Sequence, residues 1–383
     1  MNTEKTHKIT FRASFIAFSL LLLSSCTQKN AETYFESMNT FMKVRCYGAE
    51  SEKANKEAQK RISELEALLS VTKPESEVYR LNHAPSFPVE VSETTANLLS
   101  FCLDMAERTD GAFNPCLYPA TSLWGFTKTS FHIPSQKEIE NILPLTDWKK
   151  VTVNKNYITA APGMMFDFGA AGKGFAGDEA VKILKAHGIK SALLDLGGNI
   201  QTIGAKPDGS EWTVGIKNPF GAEPLGSLCI KDEAVITSGG YERFFTGEDG
   251  RRYIHIFDGR TALPVSNNVV SATAVGKSGV LCDALSTSLF VLGPEKAAAF
   301  WKNNSEFDYI IVTADKKIFI TDGIVRRFSL LPPAQEFETC IIKERVYNTE
   351  VLLTNTEGVY GNYCSSHYCI LSYIFLYKPS FSF

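Results

Sequence analysis

A chain of 383 residues, 44% apolar and 21% charged, is long enough for one large or two ordinary domains and too apolar to be disordered. Its formal net charge of -3 excludes a global basic field, so no nucleic-acid partner is expected, although a local basic pocket is allowed. Nine cysteines without a Cys-x-x-Cys pair argue against a zinc site or a dense disulfide scaffold.

The first segment reads as an address. Lys5, Lys8 and Arg12 precede a short apolar run, Phe15 to Leu23, too brief to span a bilayer. The run ends Leu23-Ser24-Ser25-Cys26, which resembles a bacterial lipobox, so residues 1–26 are expected to be a lipoprotein signal peptide with Cys26 acylated. An ordinary signal peptide or an uncleaved anchor is the plainer alternative. Acyl chains on Cys26 hold a protein at a membrane at about 0.8 kcal/mol per buried CH₂. The expected location is exported and membrane-anchored, on the periplasmic or cell-surface side.

Residues 27–35 are polar and read as a tether, followed by a strand near Phe41 to Cys46. Ala54, Ala58, Ile62, Leu65 and Leu69 recur at helical spacing and predict a helix over 51–70. A second helix is expected over about 94–108, stopping at Asp110-Gly111, and a third over 174–186, closing near Gly188. Strand-like runs follow at 191–196, 200–204, 212–217, 234–238, 253–257 and 268–276. Two helices at about 282–291 and 294–303 and strands at 308–313 and 317–321 complete the fold. Helices and strands interleave without regular βαβ spacing, so the class is α+β and not a Rossmann sheet. The stretch 331–383, rich in Tyr, Phe, Ser and Cys, is set apart as an atypical C-terminal tail.

Several polar groups carry chemistry. Asp167-Phe168-Gly169-Ala170-Ala171-Gly172-Lys173-Gly174 leads into a helix, where free N–H groups, close backbone approach and one cation suit a pyrophosphate. Seen alone, it reads equally as a helix start with a solvent-facing Lys. Asp195-Leu196-Gly197-Gly198-Asn199 is a glycine turn after a strand. His255 lies in Tyr253-Ile254-His255-Ile256-Phe257, where alternation places Tyr253, His255 and Phe257 on one side of a strand. Histidine is the side chain titrating nearest neutrality, and so a candidate base, although a strand His is commonly structural. Asp283 and Thr287, four residues apart, share a face at a helix start and together offer hard oxygens suited to Mg²⁺. An Asp interacting with the helix dipole is the alternative.

The order of these pieces resembles the ApbE family of FAD:protein FMN transferases. The pieces are Ser76-Glu77-Val78-Tyr79-Arg80-Leu81-Asn82, Thr109-Asp110-Gly111-Ala112-Phe113-Asn114-Pro115, Leu123-Trp124-Gly125-Phe126, the 167–174 loop, Gly197-Gly198-Asn199, Thr237-Ser238-Gly239, His255-Ile256 and Asp283-Ala284-Leu285-Ser286-Thr287. They span a transferase domain of about 36–325. Departures exist. Asn114 and Cys116 stand where Asp and Thr are common, Thr72 where an aromatic residue often lines the flavin, and Gly259 and Ala262 where a turn usually has Pro and Gly.

The resemblance implies an α+β flavin-transferase fold, two lobes around an FAD cleft. Met38, Ala112, Phe113, Asn114, Asp167, Lys173, His255 and Ile256 would contact FAD. The Ala170 carbonyl, Asp283 and Thr287 would hold Mg²⁺. FMN would pass from FAD to a Thr or Ser hydroxyl of an exported or membrane redox protein, releasing AMP, with His255 or Asp283 assisting removal of the hydroxyl proton. The alternatives are an FAD pyrophosphatase producing FMN and AMP, or an FAD-binding lipoprotein without transferase activity.

Overall fold

Nine strands lie side by side in the order in which the chain makes them. They are β1 (Asn30–Ser37), β2 (Thr40–Tyr47), β3 (Ser191–Leu196), β4 (Asn199–Ile203), β5 (Ala234–Gly239), β6 (Val269–Gly276), β7 (Phe307–Thr313), β8 (Lys317–Thr321) and β9 (Glu338–Ile342). Neighbours pair antiparallel from β1 to β8, and β9 joins β8 in parallel. The computed structural model describes residues 29–343 except 128, 129, 305 and 335, so the signal segment, Cys26 and residues from 344 onward lie outside the described residues.

The period of two in each strand divides the sheet's faces. Met42, Val44 and Cys46 of β2, Leu194 and Leu196 of β3, and Tyr309 and Ile311 of β7 point to one core. Val235, Val275, Ile310, Val312, Ile318 and Ile320 point to the other. The first face is covered by helices α1 (Ser51–Leu69), α3 (Gly172–Ala186) and α4 (Gly279–Lys302), with α2 (Glu93–Arg108) contributing to the same core. The second is covered by a three-stranded sheet built from Trp212–Ile216, Gly226–Ile230 and Phe328–Leu330. A smaller aromatic cluster of Trp124, Phe126 and Phe257, edge-on to one another, forms a separate core in the segments flanking the site.

Two boundaries differ from the sequence reading. Residues 30–35 are not tether but belong to β1. Its polar residues alternate with Ala31, Thr33 and Phe35, and an edge strand with one wet face is compositionally close to a linker. The stretch set apart from 331 likewise re-enters the fold, since β9 closes the sheet edge and buries Cys340 and Ile342. The two helices expected near 282–303 are both present within Gly279–Lys302, separated by the non-helical Gly293 (φ 74°) before Pro294, and the first begins at Gly279.

Helices α3 and α4 cross where two glycines, Gly174 and Gly279, meet. A Cβ on Gly174 would lie 2.2 Å from the Gly279 carbonyl oxygen, and one on Gly279 would lie 1.6 Å from Gln201 Nε2. Gln201 fills the crossing and donates to the Gly174 carbonyl at 3.1 Å. This close approach brings the start of α3 against the first turns of α4.

Candidate functional site

The motifs scattered through the chain meet through hydrogen bonds to the backbone. Asn82, buried at the end of the short helix Glu77–Asn82, exchanges two bonds with Phe166, donating to its carbonyl at 2.8 Å and accepting from its N–H at 2.7 Å. Asp167 N–H donates to the Pro115 carbonyl at 2.9 Å. The glycine loop is thereby held by both upstream segments before it turns into α3.

At that helix start, Gly174 N–H donates to Asp283 Oδ2 at 2.8 Å. Gly174 is the third residue of α3, so its N–H has no partner within the helix. The Ala170 carbonyl, just before the helix, has no hydrogen bond identified among the described residues. Asp283 is 5% exposed. Burial pushes its carboxyl above the ordinary carboxylate range, while the Lys173 charge and the Gly174 N–H pull it back. The Asn199 amide also favours the ionised form without reaching a well-formed hydrogen bond. Thr287, one turn along α4, is 3.1 Å from Ser238 of β5.

These groups were tested as a cation site by their chemistry. Among the described residues no three His, Cys, Asp or Glu side chains gather for a metal. A cation here would rest on one carboxylate, a hydroxyl and a free carbonyl, completed by ligand phosphate. That is an all-oxygen set, the type Mg²⁺ takes beside nucleotide phosphates. A buried carboxylate under-compensated by its neighbours is also where a cation is favoured. The residues present fit the group.

His255 departs from the strand expected for it. Pairing stops at Ile254 and restarts at Phe257, so His255 and Ile256 lie between two strands. At this break the backbone N–H and ring Nδ1 of His255 both reach the Arg243 carbonyl, at 3.1 and 3.0 Å. A carbonyl only accepts, so the neutral ring carries its proton on Nδ1 and leaves the Nε2 lone pair free. Burial holds the imidazole below its ordinary pKa, and the charges of Arg243 and Lys173 add to that. Lys173 therefore acts on both His255 and Asp283. Arg243 donates to the Phe126 carbonyl and bears on Asp167, whose carboxyl is raised by burial and accepts from Gly169 N–H at 2.8 Å.

The other expected contacts are placed differently. Ala112 and Phe113 are buried below α2, where Phe113 N–H donates to Thr109 Oγ1 at 3.0 Å. Asn114 spends its whole side chain on backbone: Nδ2 donates to the carbonyls of Thr146 (2.8 Å) and Gly259 (3.2 Å), and Oδ1 accepts from Cys116 N–H. Ile256 is buried beside His255 in sequence. Met38 sits in the β1–β2 turn at φ 48°, packed against the helix-side core. Thr72 is exposed after α1. Sequence reasoning gives no site role to Arg243, Ser238, Ser286, Asn199 or Asn82; the last four stand inside the motifs that carry the resemblance, and Arg243 stands outside them.

Two departures from the family pattern touch in space. A Cβ on Gly259 would lie 2.5 Å from Asn114 Cβ and 2.3 Å from the Gly111 carbonyl, so the turn closes only with glycine. An Asp at 114 would set a carboxylate against two buried carbonyl oxygens that now receive N–H donors. Asn114→Asp is therefore expected to lower stability by about 2–4 kcal/mol, measured by urea unfolding at neutral pH. Unchanged stability would remove this account of the pair.

Comparison with known proteins follows the same lines. A model of the ApbE family matches residues 38–311. A FAD:protein FMN transferase of Treponema pallidum (strain Nichols) is 35% identical over 317 residues, covering 77% of this chain and 87% of that relative. The crystal structure of the ApbE protein of Thermotoga maritima has a TM-score of 0.70 at 28% identity, covering 81% of this chain and 99% of that one. The apo form of the Pseudomonas stutzeri flavinyl transferase ApbE has a TM-score of 0.69, also at 28% identity, covering 75% and 92%. By matched length, by fold and by the order of its loop, histidine and helix motifs, this chain belongs to the ApbE family.

Proposed function

We propose that this chain is an exported, Cys26-anchored, Mg²⁺-dependent transferase that moves FMN from FAD to a Thr or Ser hydroxyl of an exported or membrane redox protein, releasing AMP. The observation that carries the reading is the position of Lys173. It opens α3 beside the Gly174 N–H that Asp283 accepts, and its charge bears on both the metal-type carboxylate Asp283 and the base-type imidazole His255. One centre thus offers an anion seat, a cation seat and a proton acceptor.

In this mechanism the acceptor oxygen attacks the FMN-side phosphorus, the bond to the AMP oxygen breaks, and AMP leaves. His255 Nε2 takes the hydroxyl proton, because Nδ1 is committed to the Arg243 carbonyl. Lys173 holds the diphosphate by its charge. A bound Mg²⁺, held by Asp283, Thr287 and the Ala170 carbonyl, supplies neutralisation of pyrophosphate charge.

His255→Ala is expected to lower turnover by ~10²–10⁴-fold, the usual worth of a general base, with FAD still bound. The wild-type rate should rise with pH as the imidazole deprotonates and level off with an inflection below the unperturbed value of about 6.5, because burial depresses this pKa. An inflection well above that value would exclude His255 as the base. The deciding assay incubates the protein with FAD, Mg²⁺ and a peptide carrying an acceptor Thr. Covalent flavin fluorescence on the peptide together with AMP supports the proposal. Free FMN and AMP without labelling would make the chain a hydrolase, and no AMP at all would make it a binding protein.

A further inference from the structure

We infer that Ser238 and Ser286 form a one-way hydroxyl relay that holds Thr287 as a pure oxygen donor toward the cation. The inference rests on the metal reading proposed above, and deepens it by naming two positioning residues.

The direction follows from proton counting. Ser286 Oγ donates to the Asp283 backbone carbonyl at 2.8 Å, and a carbonyl only accepts. A hydroxyl has one proton, so the 2.8 Å contact between Ser238 Oγ and Ser286 Oγ is donated by Ser238. That spends the Ser238 proton, so the 3.1 Å contact between Ser238 Oγ and Thr287 Oγ1 is donated by Thr287. Thr287 is left with both lone pairs and no proton directed at the site. A helical Thr ordinarily sends its proton to the carbonyl four residues back, which here is that of Asp283. Ser286 already donates there, and the Thr287 proton goes across to β5 instead. The relay thus begins on one proposed ligand residue and ends on the backbone of the other. It also ties the sheet to α4 through residues 48 and 49 positions apart.

Ser288 provides the internal control. It is as buried as Ser286, lies on the same helix and donates to the Ala284 carbonyl at 2.7 Å, but has no part in the relay. The test titrates Mn²⁺ onto the purified mature chain and counts free ion by electron paramagnetic resonance, without FAD or acceptor. Ser238→Ala and Ser286→Ala should each weaken Mn²⁺ binding by about 10-fold or more, the usual effect of removing a group that orients a ligand. Ser288→Ala should leave it unchanged. Wild-type affinity in both relay variants would overturn the relay. Thermal unfolding accompanies each variant; if Ser286→Ala does not fold, the comparison of Ser238→Ala with Ser288→Ala decides alone. Asp283→Asn in the same titration separates the two levels. Lost binding there with intact binding in Ser238→Ala sinks only the relay, whereas wild-type binding in Asp283→Asn sinks the metal reading beneath it.

Discussion

Replacing Asp283 by Asn is expected to reduce FMN transfer by at least ~10³-fold while leaving the fold intact. The loss corresponds to several kcal/mol of charge stabilisation at the transferring phosphorus. Asn keeps an oxygen for the Gly174 N–H, so the bond between α3 and α4 survives and only the charge goes. The stability sign runs opposite to the activity. The folded-state pKa of Asp283 is raised by burial, so its contribution to stability is fully present below the unfolded pKa and is lost as pH rises. Without metal, Asp283→Asn should therefore be at least as stable as wild type at pH 8. With Mg²⁺ the wild type should gain thermal stability by mass action and the variant should not. A variant that still turns over at the wild-type rate would remove Asp283 from the chemistry. One that melts far below wild type without metal would make its role structural.

Gly174→Ala is expected to be the most damaging single-methyl change near the site. The added carbon would fall 2.2 Å from the Gly279 oxygen, 2.6 Å from the Gly279 carbonyl carbon and 2.7 Å from Asp283 Cβ. Two of these are backbone atoms, which cannot swing away as a side-chain tip can. One helix must shift off the other, at a cost of about 3 kcal/mol or more. In a chain of this size that is roughly 4–5 °C of Tm or more. The same shift moves the Gly174 N–H from Asp283 and aims Lys173 elsewhere, so any Mg²⁺-dependent stabilisation should disappear as well. Gly172→Ala is the matched comparison, since nothing lies within 4 Å of its added carbon. Its Tm should stay within a degree or two of wild type. Equal melting of the two variants would show that the crossing is not the constraint argued here.

The sequence by itself determined the secondary elements whose periodicity is internal to one segment. The apolar stripe from Ala54 to Leu69 became α1 with those residues buried, and the runs at 191–196 and 317–321 became strands at those bounds. Glycine and proline punctuation marked the break at 293–294 for the same local reason. Motif order pointed to the family because several modest motifs in one sequence order are far less likely to coincide by chance than any one alone. Periodicity gives a residue's face and never its partner. Only the tertiary structure decided that β1 leaves no tether from Asn30 onward, that His255 sits at a break between strands, and that Asn114 turns its amide onto Thr146 and Gly259. The site's supporting polar contacts likewise join distant positions, Asn82 to Phe166 across 84 residues and Gly174 to Asp283 across 109. The second pair exists because α3 and α4 approach to backbone contact at glycines, a closeness that depends on the whole sheet on which both helices rest.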